Sequence, residues 1–410
     1  MLAAKLTIAA LSFTASTRAY VTSRATKTCT VASSTSGSDA GPSILAAFTS
    51  CNNGGQVVLN GTYSVGTLLD TSSLNLNNLE IVLSGTLQYT NSTSKWPAQA
   101  KYLTYQNATT FFFLAGTNIH LHGGSGASTI DGNGQAWYDA FASNANLMRP
   151  IPLTIGNGNN VLVENLKIIQ SPMWSNFVYQ SKGVVYKNIT LTSKSSSSNA
   201  AKNTDGWDIY RSDNVTIENS TIVNGDDCVS FKPNSTNIVV TNLSCTGSHG
   251  ISVGSLGQYA GEVDIVENVY VKGITMTSAQ NGARIKAWAG SASSTSTAGG
   301  GSGYVKNITF ANFVNSAVDN PVVIDQCYMG TTAGCQSYPS KVIISDVHYI
   351  NVTGSSSGSE GKVVASLECS SPCNDITATG TSLTSPKGTA VYDCRNITSE
   401  ASLDFKCTEV

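Results

Sequence analysis

The stretch Val161-Leu162-Val163-Glu164-Asn165-Leu166-Lys167-Ile168 sets the pattern of this chain. Apolar and polar residues alternate with period two on both sides of an Asn, the mark of a half-buried strand that turns and resumes. The unit returns as Val184-Val185-Tyr186-Lys187-Asn188-Ile189-Thr190-Leu191, as Val215-Thr216-Ile217-Glu218-Asn219 and as Ile238-Val239-Val240-Thr241-Asn242-Leu243. Variants follow over 269–276 and 304–310. The recurring Asn is spaced by 23 residues (165 to 188), 31 (188 to 219) and 23 (219 to 242). A repeat of about 20–29 residues is the coil length of a stacked-strand solenoid, and the longer interval implies a loop inserted on one side.

The pattern predicts an all-β chain: a single right-handed parallel β-helix with Val, Ile and Leu stacked inward and Thr, Lys and Ser facing water. Helical periodicity is almost absent. A short capping helix is expected near the N-terminus, over 43–49. The Ser/Thr/Gly-rich stretch 291–303 reads as a flexible loop or as a wall beside a groove. The irregular stretch 91–110 is a candidate cover for the other side. No linker divides the chain, so residues 20–410 form one domain, and a solenoid can run this long because each coil contacts only its neighbours.

Charged residues make up 12% of the 410, against about 25% in a typical domain. The formal net charge is −2 and there is no basic face, which excludes nucleic acid as a partner. Residues 1–19 read as a secretory signal peptide: Lys5, then a short apolar run, then small residues ending at Ala19. No later segment is apolar enough for a membrane helix. The expected product is an extracellular, soluble monomer. Ten Cys fit export and favour disulfides over a metal site. Nearest-neighbour pairing is the simplest scheme: Cys29 with Cys51, Cys228 with Cys245, Cys327 with Cys335, Cys369 with Cys373, and Cys394 with Cys407. A zinc site is the competing reading, weakened by the absence of paired Cys-x-x-Cys motifs and by a total of four His. Sequons at Asn60, Asn91, Asn107, Asn188, Asn214, Asn219, Asn234, Asn242, Asn307, Asn351 and Asn396 are candidate glycosylation sites.

The chemistry-bearing residues follow the coil period. Asp205 in Asn203-Thr204-Asp205 lies 22 residues before Asp227 in Gly225-Asp226-Asp227, and His249 in Gly247-Ser248-His249-Gly250 lies 22 after it. Residues one coil apart sit above one another at the strand spacing of about 4.8 Å, so three acids and a histidine gather in one cluster. Clustered carboxylates are what glycosidic hydrolysis requires. Asp226 and Asp227 are adjacent, so the backbone must turn or bulge for both to reach one site; a plain surface turn is the alternative. Arg284-Ile285-Lys286 places two cations on one strand face, a receptor for a carboxylate ligand or else a solvated edge. Tyr328 is a candidate to stack on a sugar. Crowding should leave one acid protonated to higher pH, and Asp226 is the expected holder.

Together, Asn-Thr-Asp, Gly-Asp-Asp, Gly-x-His-Gly and Arg-Ile-Lys resemble glycoside hydrolase family 28, the polygalacturonases, in the family's order. The runs 224–234 and 247–259 are most similar to fungal exo-acting members. The resemblance implies hydrolysis of α-1,4 links between galacturonic acid units with inversion and no cofactor or metal. It implies Asp226 as general acid, Asp205 and Asp227 activating water, and His249 supporting the acid. Asn203, Arg284, Lys286 and Tyr328 would bind substrate. Inversion sits uneasily with the spacing, since inverting pairs lie about 6.5–9.5 Å apart. Endo-polygalacturonase or xylogalacturonan hydrolase activity, a β-helix pectate lyase and a non-catalytic glycan binder are the alternatives.

Overall fold

The computed structural model describes residues 25–34 and 37–410. The expected signal peptide lies outside them. Twenty-nine strands pair into one continuous solenoid sheet, and its solenoid pairings are all parallel. A separate three-stranded sheet joins Lys101–Tyr102, Thr109–Thr110 and Pro150–Ile151. The parallel β-helix is thus the fold, with crossovers of the right-handed kind.

The repeated Asn makes the corner. Asn165, Asn188, Asn219, Asn242, Asn312 and Asn351 all have φ between 52° and 58°, a left-handed conformation that Asn tolerates better than other non-glycine residues. Their amides stack: Nδ2 of Asn188 donates to Asn165 Oδ1 at 2.7 Å, Asn242 to Asn219 at 3.1 Å and Asn351 to Asn312 at 3.0 Å. Gly273 takes the same corner in the coil after Asn242, with φ 73°. From residue 213 onward the strands run through these corners, as in Asp213–Val223, Ser235–Thr246 and Val263–Thr277.

Between corners the core is a set of aliphatic columns. Val161, Val184, Val215, Ile238, Val269, Ile308, Val347 and Ile376 face one another rung by rung. None is more than 2% exposed. Each contributes about 1.5–3 kcal/mol of burial, repeated along the axis, and this is what fixes the register.

The N-terminal end is closed by the helix Gly41–Ser50, which buries Ile44, Ala47 and Phe48. Helices Gln135–Ser143 and Thr332–Ser337 were not expected. The first buries adjacent Trp137 and Tyr138, so no three-four spacing announces it. The second is one short stretch tied down by the Cys327–Cys335 bridge. All five disulfides follow the nearest-neighbour scheme. Among the described residues, no helix is long and apolar enough to cross a membrane.

Candidate active site

Five successive rungs carry the site: Trp207–Tyr210, Val229–Phe231, Ile251–Leu256, Asn281–Trp288 and Asn320–Tyr328. Their register sets Asp208, Ser230, Ser252 and Arg284 in one column. Lys286 stands one step along, opposite Gly254 and Asp325. The acids come from the turns that enter these strands.

The adjacent pair is split by its own hydrogen bonds. Asp226 Oδ1 accepts the Asp227 N–H at 2.8 Å, and Asn224 Nδ2 donates to the carbonyls of Thr204 and Asp227, each at 2.9 Å. That clamp ties the turn to the coil below. The next coil is tied in by the His249 N–H, 2.8 Å from the Asp226 carbonyl. Gly250 has φ 120°, and a side chain there would press on the Gly282 carbonyl at 2.9 Å. Carboxylate oxygens of Asp205, Asp226 and Asp227 lie within 4.8 Å of one another.

The three acids have different partners. Asp227 is buried between Lys286 Nζ at 2.7 Å and Arg284 Nη2 at 2.6 Å, with the Ser252 hydroxyl at 2.8 Å. Burial opposes its charge, but these cations outweigh burial and hold Asp227 far below the usual carboxylate range. Asp226 faces His249 Nδ1 at 3.2 Å and Asn203 Nδ2 at 3.3 Å. Burial works to raise it, but the His249 hydrogen bond and charge, with that of Lys286, keep it below the ordinary value. Asp205 has only Lys232 to favour its charge, and burial outweighs it. It is buried beside Asp208 and Asp226, with Lys232 Nζ 3.9 Å away, and is pushed well above the carboxylate range. The proton that crowding was expected to leave on Asp226 therefore rests on Asp205. The reason is the surroundings: three donors for Asp226, burial and like charges for Asp205.

Arg284 and Lys286 share an outward face, with Ile285 in the core, as the strand period requires. They are not free, because both are committed to Asp227. Lys286 Nζ also lies 5.3 Å from the ring centre of Tyr328, which packs edge-on against Trp288. Beside them opens a cleft of about 370 Å³ lined by Asn281, Arg284, Asp325, Tyr328 and Glu368 among others. Asn203 serves the acid directly, and its Oδ1 takes a 2.7 Å bond from buried Arg149.

Sequence reasoning missed Asp208, Lys232, Ser252 and Arg149. Lys232 Nζ is 2.9 Å from Asp208 Oδ1 and 5.5 Å from the Trp174 ring centre. Burial pushes Asp208 up to about 7 against the pull of Lys232. Period two was signal enough for Asp208, which lies one column from the acids and is charged in a charge-poor chain. Arg149 gives no such sign, since it enters from a loop far away in sequence.

One flank is walled by the stretch 91–110. Tyr105 is buried, stacks on Tyr210 at 4.3 Å and tilts towards Trp174 at 6.2 Å. Thr104 Oγ1 meets the Tyr179 hydroxyl at 2.6 Å, and Gln106 reaches Gln258 at 3.4 Å. The stretch 291–303 packs against 258–260, Gly299 bridging to Tyr259 and the Ser296 carbonyl accepting from the Ala260 N–H.

The profile of glycosyl hydrolases family 28 matches residues 51–403. The chain belongs to this family. It is 48% identical to exopolygalacturonase X of Aspergillus niger over 93% of this chain and 88% of that one. It is 47% identical to the exopolygalacturonase of Cochliobolus carbonum over 90% of this chain and 84% of that one. Among solved structures, the endo-xylogalacturonan hydrolase of Aspergillus tubingensis superposes with a TM-score of 0.84 at 34% identity, covering 93% of this chain and 99% of that one. A family 28 chain is a glycoside hydrolase, which sets aside the lyase and the non-catalytic binder.

Proposed function

We propose that this family 28 hydrolase is a secreted, monomeric exo-polygalacturonase that inverts the anomeric carbon as it releases galacturonate from chain ends. The observation that carries this is the acid cluster with His249 on one side and Arg284 and Lys286 on the other. Asp226 gives a proton to the glycosidic oxygen as the C1–O bond breaks. Water held by Asp205 and Asp227 attacks C1 from the opposite face and passes its proton to ionised Asp227.

Substrate binding sets when the acid carries its proton. In the free protein Asp226 is kept ionised by His249 and by the Lys286 charge. A uronate carboxylate lying against Arg284 and Lys286 offsets that positive field. Asp226 then rises towards the protonated form that the leaving oxygen needs. Asp205, Asp226, Asp227 and His249 are thus the catalytic residues. Asn203 positions the acid, while Arg284, Lys286 and Tyr328 bind sugar.

Exo action is supported by the identity with the two exopolygalacturonases and by the wall anchored on Tyr105, which narrows one flank of the groove. The test is the product profile from a long polygalacturonate. Early monomer with slow loss of viscosity fits; early mixed oligomers would overturn it. A second reading, xylogalacturonan hydrolysis, is favoured by the TM-score of 0.84 to the Aspergillus tubingensis enzyme. Faster release from xylose-substituted than from bare galacturonan would select it.

A further inference from the structure

Three of the chain's four histidines lie away from the catalytic cluster, and two of them share the strand Thr117–Gly123 near the N-terminal end of the solenoid. His120 and His122 alternate with buried Leu121, so both point outward from the coil. Their rings sit 4.3 Å apart. On the strand below, Glu80 pairs with His120 in register, and its Oε1 lies 2.9 Å from His122 Nε2. On the strand above, Glu164 pairs with His122 and lies 3.0 Å from His120 Nε2. One donor atom each from Glu80, His120 and His122 lies within 4.8 Å of the others.

The supports around these donors resemble the outer shell of a metal site. His122 Nδ1 is 3.0 Å from the Gly123 carbonyl. A carbonyl only accepts, so Nδ1 carries a hydrogen, and Nε2, the nitrogen that faces Glu80, is the one a metal ion would take in place of its proton. A metal-bound imidazole is fixed in this way, its second nitrogen donating to a carbonyl or carboxylate. The other oxygen of Glu80 is held by Gln56 Nε2 at 2.8 Å, from one strand further down. Side-chain exposure of the four residues runs from 17% to 32%. The donors are partly shielded yet reachable from solvent.

We infer that Glu80, His120 and His122 form a zinc-binding site, with Gln56 and the Gly123 carbonyl as its outer supports. Sequence reading assigned no metal, because it weighed cysteine motifs and not a His-x-His strand beside a Glu. Two imidazoles and one carboxylate are the donor set of borderline-soft zinc. Zinc bonds of about 2.0–2.1 Å put ligand atoms roughly 3.3 Å apart, and rotation of these surface side chains supplies the closure. The acid triad is a poorer home for such an ion. It offers oxygen alone, and Arg284 and Lys286 already neutralise Asp227. Bound zinc joins neighbouring coils near the end where the solenoid would fray, so it raises the unfolding temperature by binding only the folded chain.

The test uses the full mature chain, stripped with chelator and titrated calorimetrically with zinc chloride. One saturable zinc per chain is expected, together with a higher melting temperature that chelator reverses. His122→Gln should weaken binding by about 100-fold or more, and Gln56→Ala by roughly 10–100-fold. Circular dichroism of the zinc-free variants checks that they fold, and Glu80→Gln repeats the test if His122→Gln does not. Absence of saturable binding, or binding unchanged in a folded ligand variant, overturns the site. So does zinc binding that persists in those variants and is lost in Asp226→Asn, which would put the ion on the acid cluster.

Discussion

His249 places Nδ1 3.2 Å from Oδ1 of Asp226, and this contact is what chiefly holds Asp226 ionised among three crowded acids. Without it Asp226 would be a buried carboxylate beside another, and burial would neutralise it as it does Asp205. His249→Ala therefore removes the acid's proton partner and leaves the sugar contacts in place. Its kcat should fall by a factor on the order of 10² to 10⁴, with KM moving much less. A variant that keeps kcat within about threefold, measured by reducing-sugar release across pH, would return His249 to a structural role.

Stability should fall as pH rises from about 4 to 7. Asp208 is raised to about 7 by burial, and Asp205 is raised too. A carboxyl raised above its unfolded value stabilises the folded chain fully below the unfolded pKa and loses that contribution as pH climbs through the folded one. Asp227 works the other way, contributing above the unfolded value and failing only in strong acid. Maximum stability thus lies on the acid side of neutrality. The pair variant Asp208→Asn, Lys232→Met removes one source of the slope without leaving Lys232 buried and unpaired. Its melting temperature should change less between pH 4 and 7, and an unaltered slope would show that Asp208 does not titrate there.

How the chain disclosed its site follows from what coil stacking controls. The period of 22 residues placed Asp205, Asp227 and His249 together, since a rung-to-rung offset is all that separates them. The Asn corners were legible for the same reason, each needing left-handed φ at a fixed place in the repeat. Side-chain commitment was not legible. Nothing in Arg284-Ile285-Lys286 says that both cations turn onto Asp227, because that depends on Ser252 and on the depth of the Asp227 turn. Arg149 was hidden because it comes from a loop, where no period operates. The proton's place was misjudged because donors, rather than crowding, set it.

The first-formed sugar should be the inverted anomer, the β form from an α-linked chain. The acids lie within 4.8 Å of one another, closer than the roughly 6.5–9.5 Å of an inverting pair. The spacing rule assumes two carboxylates facing across the sugar. Here three are grouped, and a water can be held beside the pair. Proton NMR in the first minutes of hydrolysis reads the anomer directly. Initial α product would mean that one of the acids attacks carbon.

Glycans should sit on Asn60, Asn91 and Asn107, and be absent from Asn188, Asn242, Asn307 and Asn351. The first three are exposed outside the Asn columns. The other four spend Nδ2 on the Asn of the adjacent coil, at 2.7–3.1 Å. A sugar there would replace one amide hydrogen and crowd a position stacked between rungs. Mass spectrometry of peptides after deglycosylation in heavy-oxygen water marks each occupied Asn. A glycan on Asn188 or Asn242 would show that the column closes only after modification.

Tyr105→Ala should loosen exo action. Tyr105 holds the wall by stacking on Tyr210 and facing Trp174, contacts worth about 0.5–1.5 kcal/mol each beyond burial. Its ring contacts are with Tyr210, Trp174 and Phe177, and the donors that hold Asp226 and Asp227 come from other residues, so the substitution targets the wall. Once the wall is released, a galacturonan can lie across the groove as well as enter by its end. Oligomers should then appear early beside the monomer, and viscosity should drop faster per bond cleaved. The variant is compared below its own melting temperature, because truncating a buried aromatic costs about 3–5 kcal/mol. If monomer remains the sole early product of the folded variant, chain ends are selected by another part of the groove, and the cleft beside Tyr328 is the place to substitute next.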